Sequence, residues 1–193
     1  MGEDIRQTIL ELEEKVSELK DRVEKLSNVI KLLASAIVVV PQELVEVSSS
    51  CRSAVNDFID AVAGFEDISP DLKDRYRKMF IYMLEVKLPY LKTDLENSYS
   101  MLSNIIKSIE EVDSIVGEAL DTMVREFIGI NLGSVVEVIL SISREIDIDF
   151  EELAKTLVNS LGKDLAKNIV DINSIKRYYG DKAVQLWRKT LES

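Results

Sequence analysis

From Ile5 to Val40, apolar side chains recur in steps of four and three without a slip: Ile5, Ile9, Leu12, Val16, Leu19, Val23, Leu26, Ile30, Leu33, Ile37 and Val40. This is a heptad repeat. Ile9, Val16, Val23, Ile30 and Ile37 occupy position a, and Leu12, Leu19, Leu26 and Leu33 occupy position d. A helix with so narrow a stripe, of period 3.5, buries it only against another helix. The stretch therefore predicts one long helix, about 54 Å for residues 4–40 at 1.5 Å per residue, that pairs with something.

The flanks of the stripe change along its length. Positions e and g are Arg6, Thr8, Glu13, Lys15, Lys20 and Arg22 in the first heptads, then Ser27, Val29, Ala34 and Ala36. Polar flanks suit a two-helix seam, and apolar flanks widen the stripe for bundle packing. We therefore expect residues 4–26 to form an arm and residues 27–40 to be buried in a body. β-Branched residues at a with Leu at d favour a parallel dimer, although this would set Lys15 against Lys20 of the partner. The alternatives are an antiparallel dimer, a different partner chain, or cover by the chain's own later helices.

The remaining pattern is also helical. Seven glycines and three prolines in 193 residues leave long uninterrupted runs, and the fold class expected is all-α. Pro41 is expected to stop or kink the first helix, because the residue before proline avoids the helical region. A second helix then carries Leu44, Val47, Cys51, Val55, Phe58, Ile59 and Val62. Residues 64–69 read as a loop, and Ser69-Pro70-Asp71 as a helix start. Leu72, Tyr76, Met79, Phe80 and Met83 read as a core stripe.

Pro89 is expected to interrupt that helix. A second heptad-like run then extends from Leu91 to Met123, and Gly129-Ile130-Asn131-Leu132-Gly133 reads as a helix stop. Beyond it lie short helices: 134–146, 150–161, 164–170, 174–179 with Asn173 as cap, and 182–191. The resulting division is an oligomerisation helix at 1–40, a long-helix bundle at 41–130 and a short-helix subdomain at 131–193.

Composition narrows function mainly by exclusion. Histidine is absent. Its absence removes Ser-His-Asp and Cys-His catalysis and the Glu-x-x-His sites of metal-binding bundles. No phosphate loop, cofactor motif or calcium loop is present, so no enzyme is expected. Glu110, Glu111 and Asp113, with Glu118 and Asp121, have chelating spacing but read better as a solvated helix face. The lone Cys51 forms no intrachain disulfide and reads as a small core residue; a reducing cytoplasm is the expected setting. The most apolar run, 32–40, is too short to span a bilayer, and no signal peptide is expected. Abundant Ile, Val, Leu, Glu and Lys with scarce Gln point weakly to a thermophile.

Net charge is −11, which opposes general nucleic-acid binding. The charge is uneven: −2 over 1–40, −8 over 41–128, −4 over 129–161 and +3 over 162–193. The basic C-terminal stretch interleaves Lys176, Arg177, Lys182, Arg188 and Lys189 with Tyr178, Tyr179 and Trp187. Bases among aromatics can grip nucleic acid or an acidic protein surface, although packing by Val184, Leu186, Trp187 and Leu191 explains the aromatics as well. The expectation is a non-enzymatic scaffold or adaptor, a homo-oligomer with a dimer favoured or a binder of a helical partner. It would act through Ile5, Ile9, Leu12, Val16, Leu19, Val23 and Leu26. The alternative is a nucleic-acid-associated protein using the basic C-terminal helices.

Overall fold

The computed structural model describes residues 2–192, with side chains from Arg6 to Glu192, so the Ile5 side chain of the heptad stripe lies outside the described set. The described chain is all-α. Its elements are α1 (Gly2–Val62), a 3₁₀ turn (Phe65–Asp67), α2 (Pro70–Glu110), α3 (Ser114–Glu145), α4 (Phe150–Leu161), α5 (Lys163–Ile169), α6 (Ile172–Tyr179) and α7 (Asp181–Glu192). The second half of α1, α2 and α3 pack together, and α4 to α7 close over the end of α2 and α3 remote from the arm.

Three helix boundaries differ from the sequence expectation. Pro41 lies inside α1, which neither stops nor restarts there. A proline in a helix interior forfeits one backbone bond and costs about 3 kcal/mol. Packing offsets that cost, because one stripe, buried except at the half-buried Leu44, runs Ala36, Val40, Leu44, Val47, Cys51, Ala54 and Phe58 straight past it. Pro41 itself faces solvent. Pro89 is likewise inside α2, where Phe80, Leu84, Leu88, Leu91 and Leu95 form an unbroken buried face on both sides of it.

The third difference is where the long helical run turns. Gly129 and Gly133 do not end a helix; α3 passes through both and places Leu132, Val135, Val136, Ile139 and Leu140 in the core. The chain reverses instead at Glu111-Val112-Asp113. Asp113 caps α3, accepting hydrogen bonds from the backbone N–H of Ile115 (3.1 Å) and Val116 (3.2 Å). The turn is tight because Gly117 passes close to the end of α2. A Cβ there would stand 2.6 Å from Glu110 Cα. Gly117→Ala is expected to lower stability by about 1–3 kcal/mol through this clash. Gly129→Ala, with open space around its Cβ, is expected to raise it by about 0.5–1 kcal/mol. Urea midpoints of the two variants check both signs.

Short acidic caps order the C-terminal helices. Asp149 accepts from the N–H groups of Glu151 and Glu152 to open α4. Asp171 accepts from those of Asn173 and Ser174, so Asp171 and not Asn173 caps α6. Gly162 ends α4 at φ +84°, a backbone angle that side chains resist. Arg77 ties α2 to the α3–α4 turn, donating from Nε to the Ile146 carbonyl at 2.7 Å.

Residues 127–143 carry Glu137 as their only ionisable residue. α3 is long and apolar enough to meet the length and composition of a bilayer-crossing helix. In this fold its buried side chains belong to the core of the bundle.

Candidate helix-pairing surface

Helix α1 presents two apolar stripes that part company along its length. The core stripe starts at Val29 and Leu32 and is covered by α2 and α3 from Ala36 onward. The heptad stripe is separate. On a straight helix of 3.6 residues per turn, a seven-residue repeat drifts by about 20° per heptad. Followed backwards from Val40, where the two stripes coincide, the heptad stripe turns steadily away from the body.

Exposure is not graded by that drift: every residue from Arg6 to Asn28 is exposed, on all faces of the arm, and Ile37, beside Val40, is the most exposed of the stripe. Val40 is buried, whereas Ile9, Leu12, Val16, Leu19, Val23, Leu26, Ile30, Leu33 and Ile37 are 45–74% exposed. The expectation that residues 27–40 are buried as a whole is therefore corrected. Ala36 and Val40 are covered, but Ile30, Leu33 and Ile37 extend the exposed seam alongside the body. Two shallow grooves run along it, one bordered by Ile9, Leu12 and Val16, the next by Val16, Leu19 and Val23. Grooves between successive a and d side chains are what knobs of a facing helix fill.

The C-terminal basic segment does not form a comparable surface. Trp187 is buried, 1% exposed, within the core formed with α4. Tyr178 is half-buried against the same core. Lys176 pairs with Asp181 at 2.9 Å and Arg177 with Glu137 at 2.9 Å. Lys182, Arg188 and Lys189 are exposed, so the bases point outward while the tryptophan points inward. Trp187 is spent on packing, while the Arg177 guanidinium stands 6.0 Å over the ring of the half-buried Tyr178.

Two of the five clustered acids are engaged in structure, and Glu110, Glu111 and Glu118 are exposed. Asp113 is a cap, and Asp121 accepts from the Tyr99 hydroxyl (2.6 Å) and Arg125 Nε (2.7 Å). Tyr99 and Arg125 hold the Asp121 carboxyl below the usual carboxylate range. Among the described residues, no group of three or more His, Cys, Asp or Glu side chains is placed to hold a metal ion. Cys51 is buried, and the loss of water around its thiol pushes the pKa up to about 11, far from an activated thiolate.

Two features escaped the sequence reading. The outward face of α2 carries Met79, Tyr82, Val86 and Tyr90, all exposed. Met79 is thus a surface residue and not part of the core stripe, while Met83 is half-buried. A cleft of about 1010 Å³ lies where α2, α3 and the α4–α5 junction meet, walled by Leu95, Leu132, Leu140 and Leu161 and rimmed by Lys92 and Glu126. Gly129, Gly133 and Gly162 border it. Their lack of side chains was a signal for space, but in sequence it reads as turn chemistry. Comparison of the chain with protein families, with curated proteins and with solved structures yields no match to any of them.

Proposed function

We propose that this chain is a non-enzymatic scaffold or adaptor that assembles through helix-helix pairing of the α1 arm. One observation carries the reading: nine consecutive a and d positions, from Ile9 to Ile37, form an apolar stripe that the chain's own body leaves uncovered. Isolated exposed hydrophobic residues are ordinary, but a contiguous stripe of this length marks an interaction site. The stripe would join another apolar-striped helix by knobs-into-holes packing, with affinity from burial at roughly 25 cal/mol per Å² before ordering costs. The second reading, nucleic-acid binding through the basic C-terminal helices, keeps the exposed Lys182, Arg188 and Lys189 but not Trp187, which is buried, and so ranks behind helix pairing.

Light scattering on the full chain and on a chain beginning at Asn28 tests this. The shortened protein keeps Leu32, Ala36 and Val40, which pack in the bundle. The expected result is an oligomer for the full chain and a folded monomer for the shortened one. Equal mass for both would overturn it.

A further inference from the structure

We propose that the helix covering the α1 stripe is that of a second copy, lying parallel and in register, so that both helical bodies stand at the same end of a two-stranded coil. This rests on the pairing role proposed for the arm and specifies its occupant and orientation. Side-chain shape is the first argument. All five a positions are β-branched (Ile9, Val16, Val23, Ile30 and Ile37), and Leu12, Leu19, Leu26 and Leu33 fill d. A parallel in-register pair stacks a on a and d on d, and β-branched a with Leu d is the combination that favours two strands in that geometry. An antiparallel pair aligned over the same length sets Ile9 over Leu33 and mixes the two layers.

Area is the second argument. Nine stripe positions on each of two chains, each hiding roughly 70 Å² of apolar surface, cover about 1,250 Å² before the flanks contribute. That reaches the 1,200–2,000 Å² range of stable interfaces. The uncovered stripe is long enough for a dimer without further contacts between the bodies. It also ends where a dimer seam must end, because from Val40 onward α1 turns the same face to its own α2 and α3.

Flanking charges make orientation measurable. In the parallel register Thr8 meets Glu13, Arg22 meets Ser27 and Val29 meets Ala34 of the second copy, and Lys15 against Lys20 is the one like-charge contact. In the antiparallel alignment Lys15 faces Val29. Lys15→Glu is therefore expected to tighten a parallel dimer roughly fivefold or more at low salt, by turning two repulsions into two attractions. An unchanged dissociation constant would overturn the register.

The decisive experiment is disulfide trapping in the full chain. Ile9→Cys is expected to give a covalent dimer under mild oxidation, as is Leu33→Cys, because identical positions face each other within disulfide reach. The buried Cys51 makes the unsubstituted chain a silent control. If the protein has dimer mass but Ile9→Cys fails to cross-link with itself and instead links to Leu33→Cys in a mixture, the pair is antiparallel and this inference falls while the pairing role stands. A monomeric mass for the unsubstituted chain overturns both. A trimer or tetramer overturns the two-stranded arrangement alone.

Discussion

Aspartate at both Val16 and Val23 is expected to convert the proposed dimer to monomers and to leave the melting of the helical body unchanged. Both valines are at least half exposed in the single chain, so the substitutions remove nothing from the fold itself. In a dimer they would abolish four buried valines at about 1.5–3 kcal/mol each. They would also place carboxylates opposite one another in a seam from which water is excluded. A loss of about 6 kcal/mol or more is over four powers of ten in dissociation constant. Sedimentation or light scattering across a concentration series reads the mass, and circular dichroism reads the body. A dimer that survives both substitutions would remove the arm as the assembly device.

Trp187→Ala is expected to be the most damaging single substitution in the body, at about 3–5 kcal/mol. Trp187 is fully buried on α7, one turn after Ala183, where it joins α7 to the core shared with α4. Domains of this kind are stable by only about 5–15 kcal/mol, so the variant loses a large part of its margin. Substituting the adjacent Arg188 and Lys189 together by Glu should move stability by no more than about 0.5 kcal/mol each, as exposed sites do. Urea unfolding of the two variants separates a packing anchor from a binding patch. If the tryptophan variant unfolds at the wild-type midpoint, the packing account of the C-terminal segment is wrong.

The elements read correctly from the sequence were those with local physical causes. The heptad stripe needs only spacing, the start of α2 only a proline at the first helical position, and α4 begins and ends where Asp149 and Gly162 put it. The misread ones depend on distant neighbours. A proline breaks an isolated helix, but Pro41 and Pro89 sit within long faces clamped on both sides, and no local rule contains that clamp. Gly129 and Gly133 are tolerated in α3 because the turns that follow bury Leu132, Val135, Val136, Ile139 and Leu140.

The missed reversal at Glu111–Asp113 is different, since its signal was present. Asp113 precedes Ser114 as an ordinary cap residue, yet within Glu110, Glu111 and Asp113 it reads as one more acid on a solvated face. The candidate site was half legible. The residues of the stripe were named from spacing alone, but which side of α1 the body would occupy depends on Leu102, Ile106 and Val124 meeting Ala36 and Val40. Those contacts link residues far apart in sequence and leave no mark on the heptads.

Because α1 runs unbroken through Pro41, the arm proposed for pairing and the first wall of the bundle are one shaft. Each residue of a helix advances it 1.5 Å and turns it by 100°. The bearing of the body around the arm is thus set by residue count, as the angle of a key's teeth is set by its stem. One residue inserted between arm and bundle would swing the two bodies to new positions around a common axis, and seven would nearly restore them. Assemblies built on this chain would inherit their rotational phase from a single uninterrupted helix.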